Sequence, residues 1–420
     1  MKTTFKIFLS LTSVLFISST RLNAEEHSIG YLDRLEAGQA CSNIRKLAGS
    51  GNPSDLERIA ESILSTNEAI KSCAIQAIRE QKGPYAVDKL LDNIDDYVRD
   101  QKHKGAYEEN LKKKLKAIDS IWALGEIGDP IVMSSLLNFY DESDETVRMN
   151  IIISIGKFKT KGARNILEIL IKSSNETVVI KSMAFEMLDE MKGSPENLIM
   201  AQPSPSSIRS GDLIYSGGLT GAPLIITGEL PVGHAGIFAG TEIENGKITP
   251  VIADCVPNWF KPYGGVRKII KWKHFLHNYK YPFYGNRTLK MPPDEKQRQD
   301  IVQIALQMAA AGFKYTEKHL QQKGPELYDC VGFTEAVYER AGMNPTPNEK
   351  ESGWGWPLTV AEQFESTVSN SLIPPTTIPM PEILLAEPNP AKEYMKPFEF
   401  NETGFTFPSQ AVVSPERMFE

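Results

Sequence analysis

Residues 314–342 read KYTEKHLQQKGPELYDCVGFTEAVYERAG, and the reading of this stretch decides the fold of the second half of the chain. A Gly-Pro turn, Gly324-Pro325, precedes Cys330. Val331, Phe333, Thr334, Val337 and Ala341 then fall on or near one face of a helix that Gly342 stops. This spacing puts Cys330 in the first helical turn. Unpaired backbone N–H groups and the positive end of the helix dipole favour an anion there. The expectation is a thiol of lowered pKa, and so a nucleophile. Such a thiol needs a base. His234 lies in GHAGIFAG, residues 233–240, which reads as a short apolar strand. Cysteine with histidine is a nucleophile–base pair.

Around these two motifs the sequence alternates short strand and helix signals. GDLIYSGG from Gly211, ITPVIADCV from Ile248, KIIKW from Lys268 and the aromatic-rich HNYKYPFYG from His277 read as strand or loop. Asp294 to Ala311 reads as a helix, bounded by Pro292-Pro293 and Gly312. Upstream, residues 194–207 (SPENLIMAQPSPSS) carry the proline, serine and asparagine of a linker. Before that linker nearly everything is amphipathic helix. The segments are Asp55–Leu64, Glu68–Arg79, Ala86–Ile94, Glu109–Leu124, Pro130–Phe139, Thr146–Phe158, Ala163–Ile171 and Val178–Met191. Pro84 and Pro130 fall at the same place in a helix–turn–helix template, as do Leu90-Leu91 and Leu136-Leu137. The template resembles HEAT-type repeats, which stack helix pairs. An irregular helical bundle is the other reading of the same pattern.

The 420 residues carry 46 Lys and Arg against 53 Asp and Glu, a formal charge of −7. An acidic chain excludes nucleic acid as its main partner. Residues 1–24 read as a secretory signal peptide, with Lys2 and Lys6 before an apolar run and Leu22-Asn23-Ala24 at the cut. Its removal takes the formal charge from −7 to −10. No later stretch is long and apolar enough to span a membrane. Export, to the periplasm or outside the cell, places Cys41, Cys73, Cys255 and Cys330 in an oxidising compartment. Cys41 and Cys73 form either one staple or two buried thiols.

Taken together, GDLIY, GHAGIFAG, VIADCV and YDCVGFTEAVYERAG resemble the circularly permuted branch of the NlpC-type papain-like cysteine hydrolases, which includes YiiX-like bacterial proteins. In the permuted order the histidine strand precedes the nucleophile helix. The resemblance implies a multidomain chain. A HEAT-like all-α repeat (25–195) precedes an α+β papain-like domain with a small antiparallel sheet (205–345). A proline-rich extension (346–420) packs on that domain. It implies Cys330 as nucleophile, His234 as general base and Asp254 as the residue that orients the histidine, with Tyr215 and Tyr328 on the substrate side. Val331 stands where the family usually has serine. The implied chemistry is cleavage of an amide in cell-wall peptides, or amidase, thioesterase or acyl-transfer chemistry on an acyl lipid. The helical repeats are a candidate protein-binding surface, and a binding module without catalysis is the competing class.

Each residue also has a structural alternative. Cys330 fits a buried structural thiol, or a disulfide with Cys255 that would remove the nucleophile. Asp254 fits a turn or cap. His274, His277 and His319 read as surface or loop histidines without zinc spacing, so neither a metal nor a cofactor is expected. Asp141, Asp144 and Glu145 read as a solvated turn, and GLTGAP from Gly218 as a loop over the cleft. The aromatics Trp259, Phe260, Tyr263, Trp272, Tyr279, Tyr281, Phe283 and Tyr284 suit either an acyl chain or an ordinary core.

Overall fold

The computed structural model describes residues 37–65, 67–81, 84–100, 107–191, 200–218, 230–244, 247–258, 260, 264–316, 322–346 and 358–369. The expected signal peptide, the GLTGAP loop, Trp259, Tyr263, His319 and most of 346–420 lie outside these residues. The N-terminal part is all-α: α1 (37–50), α2 (Pro53–Ser62), α3 (Glu68–Gln81), α4 (Pro84–Asp100), α5 (Tyr107–Ile127), α6 (Met133–Glu142), α7 (Glu145–Phe158), α8 (Lys161–Lys172) and α9 (Val178–Glu190). An α+β region follows. It comprises β1 (Asp212–Gly217), β2 (Val232–Glu244), β3 (Lys247–Val256), β4 (Gly265–Ile269), α10 (Trp272–Phe275), β5 (Phe283–Arg287), α11 (Glu295–Ala311), β6 (Lys314–Tyr315), β7 (Leu327–Tyr328), α12 (Cys330–Arg340) and α13 (Val360–Ser366).

Local chemistry accounts for most helix starts. Asn52, Asp144, Thr160 and Thr177 each accept a hydrogen bond from a first-turn N–H of the helix they precede, satisfying donors with no intrahelical partner. Asp294 with Gln297 and Thr359 with Glu362 make reciprocal capping boxes at α11 and α13. Asp144 and Glu145 are therefore not a solvated turn. Asp144 caps α7, and Glu145 accepts hydrogen bonds from Ser206 Oγ, Ser207 N and Ile208 N at 2.9, 2.8 and 3.2 Å, pinning the end of the linker.

The chain forms two compact units that divide at Ser135/Leu136, with residues 218–231 assigned to the first. In the first unit a Cys41–Cys73 disulfide joins α1 to α3. A buried Lys71–Asp119 ion pair at 3.3 Å joins α3 to α5. Asn93 Nδ2 donates to Ser120 Oγ at 3.1 Å between α4 and α5.

The second unit holds α7–α9, the sheets and α10–α13. Its main sheet is antiparallel throughout, in the order β4-β3-β2-β1-β5. The segment after β4, read as strand or loop, is strand only at its two ends. KIIKW is not one strand, because β4 ends at Ile269 and Trp272 begins α10. Most of HNYKYPFYG is not strand either; only Phe283 onward joins the sheet as β5. Polar side chains of α7 and α9 hold this segment. Asn150 donates to the Phe283 carbonyl at 2.7 Å and accepts from the Phe283 N–H at 3.0 Å, acting as an extra strand rung. Glu186 accepts from Trp272 N, Lys273 N and the Tyr279 hydroxyl at 2.8, 2.5 and 2.6 Å. Trp272 and Phe283 pack edge-on at 5.5 Å and are fully buried, so they are core.

Candidate functional site

Register assembles the site on one face of the sheet. Asp254 on β3 lies opposite Gly236 on β2 and opposite Arg267 on β4. His234 stands two residues before Gly236, so the alternation of side chains puts it on the same face, diagonal to Asp254. The side chains meet accordingly. His234 Nε2 lies 3.1 Å from Asp254 Oδ2, and Arg267 grips the same carboxylate with Nε to Oδ1 at 2.7 Å and Nη2 to Oδ2 at 3.0 Å. All three residues are buried. Gly236 is needed between them: a Cβ there would come within 2.9 Å of the Phe275 ring, which packs against His234.

Burial alone would raise the Asp254 pKa. The Arg267 guanidinium and the His234 and Arg267 hydrogen bonds outweigh it and hold the carboxyl well below the usual carboxylate range. Asp254 is therefore an anion at any neutral pH. An anion only accepts, so the His234 Nε2–H donates to it, and Nδ1 is the nitrogen left without the proton in the neutral ring.

Cys330 is the first residue of α12 and is partly exposed. Asp329 caps the helix, accepting from Gly332 N at 2.7 Å, and Gln322 Nε2 donates to its other oxygen at 2.6 Å. The chain at Gln322 runs so close over this turn that a Cβ on Gly332 would lie 2.0 Å from the Gln322 carbonyl oxygen. The sulfur sits at the histidine strand, where the Ala235 N–H favours its thiolate, as does the Val331 N–H. The expected lowering of the thiol pKa does not follow. Burial first, and then the neighbouring Asp329 carboxylate, override these donors and push the thiol up to about 12. The acid that caps the helix start cancels the advantage of being there.

Cys255 is buried and Cys330 partly exposed, and both are free thiols, so the two form no disulfide. The Cys255 thiol donates to the Tyr328 carbonyl at 3.3 Å. The two tyrosines expected on the substrate side are fully buried. The Tyr215 hydroxyl donates to Gln363 Oε1 of α13 at 3.0 Å, and the Tyr328 hydroxyl donates to the Pro325 carbonyl at 3.1 Å.

His277 lies in a turn, as the loop reading has it, but it is not a surface histidine. It is buried, and neither ring nitrogen has a hydrogen-bond partner among the described residues. Its ring centroid lies 5.2 Å from that of His234. His277, Asn278 and Tyr279 have φ of 49°, 62° and 59°, three consecutive left-handed residues without a glycine, each costing about 1–2 kcal/mol. His274 is exposed. Among the described residues no three His, Cys, Asp or Glu side chains group as a metal site, and no helix is long and apolar enough to cross a membrane.

Residues 113–187 match HEAT repeats. The N-terminal helices are thus HEAT-like repeats, a class that often binds protein, and the α+β region follows them. No curated protein and no solved structure matches the chain.

Two outcomes follow from this geometry. Alkylation of Cys330 by iodoacetamide, read by peptide mass mapping, is expected to rise about tenfold per pH unit through pH 9 without levelling. The sign follows from a thiol pKa above the range sampled; a plateau near 8.5, the free-thiol value, would contradict it. Arg267→Met leaves the buried Asp254 carboxylate without its cation, held by His234 alone, with an expected loss of about 3–5 kcal/mol in denaturant unfolding. A loss below about 1 kcal/mol, the scale of an exposed pair, would show that Arg267 does not hold Asp254.

Proposed function

We propose that the chain is an exported thiol hydrolase in which a papain-like domain, residues 205–345, cleaves an amide bond. The observation that carries this reading is the sulfur of Cys330 at a helix start beside the backbone N–H of Ala235, the residue after His234, whose buried ring is bonded to an ionised Asp254. The thiol is not ionised in advance. His234 Nδ1 takes its proton as the sulfur attacks the carbonyl carbon. The resulting imidazolium is held by Asp254, whose charge Arg267 keeps in place. The N–H groups near the sulfur stabilise the oxyanion of the tetrahedral intermediate. His234 then gives its proton to the departing amine, leaving an acyl thioester. Water, deprotonated by the same histidine, attacks that thioester, and the acid and the free thiol are released.

The strand–helix order supports the permuted papain-like assignment, with the histidine strand β2 ahead of the nucleophile helix α12. Cell-wall peptides are the substrate class that assignment implies. The rings of Phe275 and Phe260 near the two histidines favour a second reading, an apolar acyl group on a lipid. The Cys41–Cys73 disulfide supports export, which the N-terminal residues 1–24 would direct. The HEAT-like repeats are the surface on which a protein partner would dock.

Incubation with peptidoglycan fragments and with acyl-lipid and acyl-thioester libraries, read by mass spectrometry, tests the reading. Turnover by the wild type and none by Cys330→Ala or Cys330→Ser is the expected result. A Cys330→Ala protein that retains turnover on the same substrate removes the nucleophile and leaves the binding-module class.

A further inference from the structure

We infer that His277 is a substrate-contacting residue, hydrogen-bonding the amide or ester group of an apolar acyl substrate beside His234. This inference rests on the thiol-hydrolase reading and deepens it. A buried imidazole ordinarily has at least one of its nitrogens satisfied, because an unpaired buried polar group is costly. His277 is 8% exposed and satisfies neither. Its ring faces the base, 5.2 Å from His234, with Phe260 at 5.0 Å and Tyr281 at 5.7 Å making apolar walls.

The backbone holds it there against its own preference. The left-handed run at His277–Tyr279 is kept by Asn278 N donating to the Lys273 carbonyl at 2.7 Å and Lys157 Nζ donating to the Tyr279 carbonyl at 3.0 Å. Glu186 of α9 closes on the Tyr279 hydroxyl at 2.6 Å. Strain held in place by surrounding contacts, around a polar group left without a partner, is the pattern of a pre-organised binding group. Packing alone would be served as well by phenylalanine.

The chemistry of the ring selects its ligand. Burial, with the positive neighbour His234 would become, lowers the His277 pKa to about 2, so the ring is neutral. A neutral imidazole offers one donor and one acceptor, which suits an uncharged amide or ester rather than a carboxylate or a cation.

The test uses the full chain carrying Cys330→Ala, with ¹⁵N-labelled histidine, titrated with hexanamide and separately with methyl hexanoate. The His277 ring signals are assigned by their loss in His277→Gln. The expected result is a saturable shift of a His277 ring nitrogen with at least one probe; hexanamide alone marks an amide site and methyl hexanoate an ester site. His277→Phe should weaken that binding about tenfold, the value of one buried hydrogen bond, as followed on the His234 signals. His277→Gln, which keeps a donor and an acceptor, should bind more tightly than His277→Phe and serves if the latter fails to fold. No saturable shift with either probe, or a foldable variant without a hydrogen-bonding side chain that binds like the parent, overturns the inference. If Cys330 of the native chain still accepts an acyl group while His277 is silent, this inference alone falls. If Cys330 accepts none, the hydrolase reading falls with it.

Discussion

A carboxylate without solvent is the constraint on which the site depends. Asp254 is fully buried, and an isolated buried carboxylate would protonate or unfold its surroundings. Arg267 grips it with two nitrogens, and His234 takes one of the same oxygens. The pairing is affordable only if β2, β3 and β4 keep the register that brings Gly236, Asp254 and Arg267 abreast. A slip of one residue would turn every side chain of a strand to the other face. The charge therefore fixes the register, and the register fixes the direction of the His234 ring.

On the nucleophile side, two effects of the helix start oppose each other. The free N–H groups of the first turn favour a thiolate. The residue that best caps such a turn is an acid, and Asp329 fills that role one position before the sulfur. With burial added, the proton stays on Cys330. In the proposed mechanism this suits proton transfer in step with attack, since a protonated thiol is a weak nucleophile until its proton is taken.

The elements that local chemistry specifies were legible from residues alone. Capped amphipathic helices such as α7, α9 and α11 and the strands at GDLIY, GHAGIF and ITPVIAD follow from periodicity and spacing, whereas the meeting of His234 with Asp254 was an implication of the family resemblance. What escaped depends on contacts distant in sequence. Arg267 was not singled out from the sequence, and its role shows only in its place opposite Asp254. A charged residue on a strand next to one with a buried acid is the signal that would have found it. His277 is in a loop as read, but its burial escaped because nothing local specifies three left-handed residues; Glu186, 93 positions before Tyr279, helps to hold them. Tyr215 was placed toward substrate because Gln363, 148 residues later, was not available to claim its hydroxyl.

The central claim is that Cys330 forms an acyl intermediate with the help of His234. Its most direct measurement is the intact mass and peptide map of the protein after exposure to p-nitrophenyl hexanoate at neutral pH. The account predicts one hexanoyl group on Cys330, none on the buried Cys255, and a rate that falls by about a hundredfold or more in His234→Ala, the scale of general-base catalysis. An unmodified Cys330, or acylation that proceeds unchanged without His234, would contradict it.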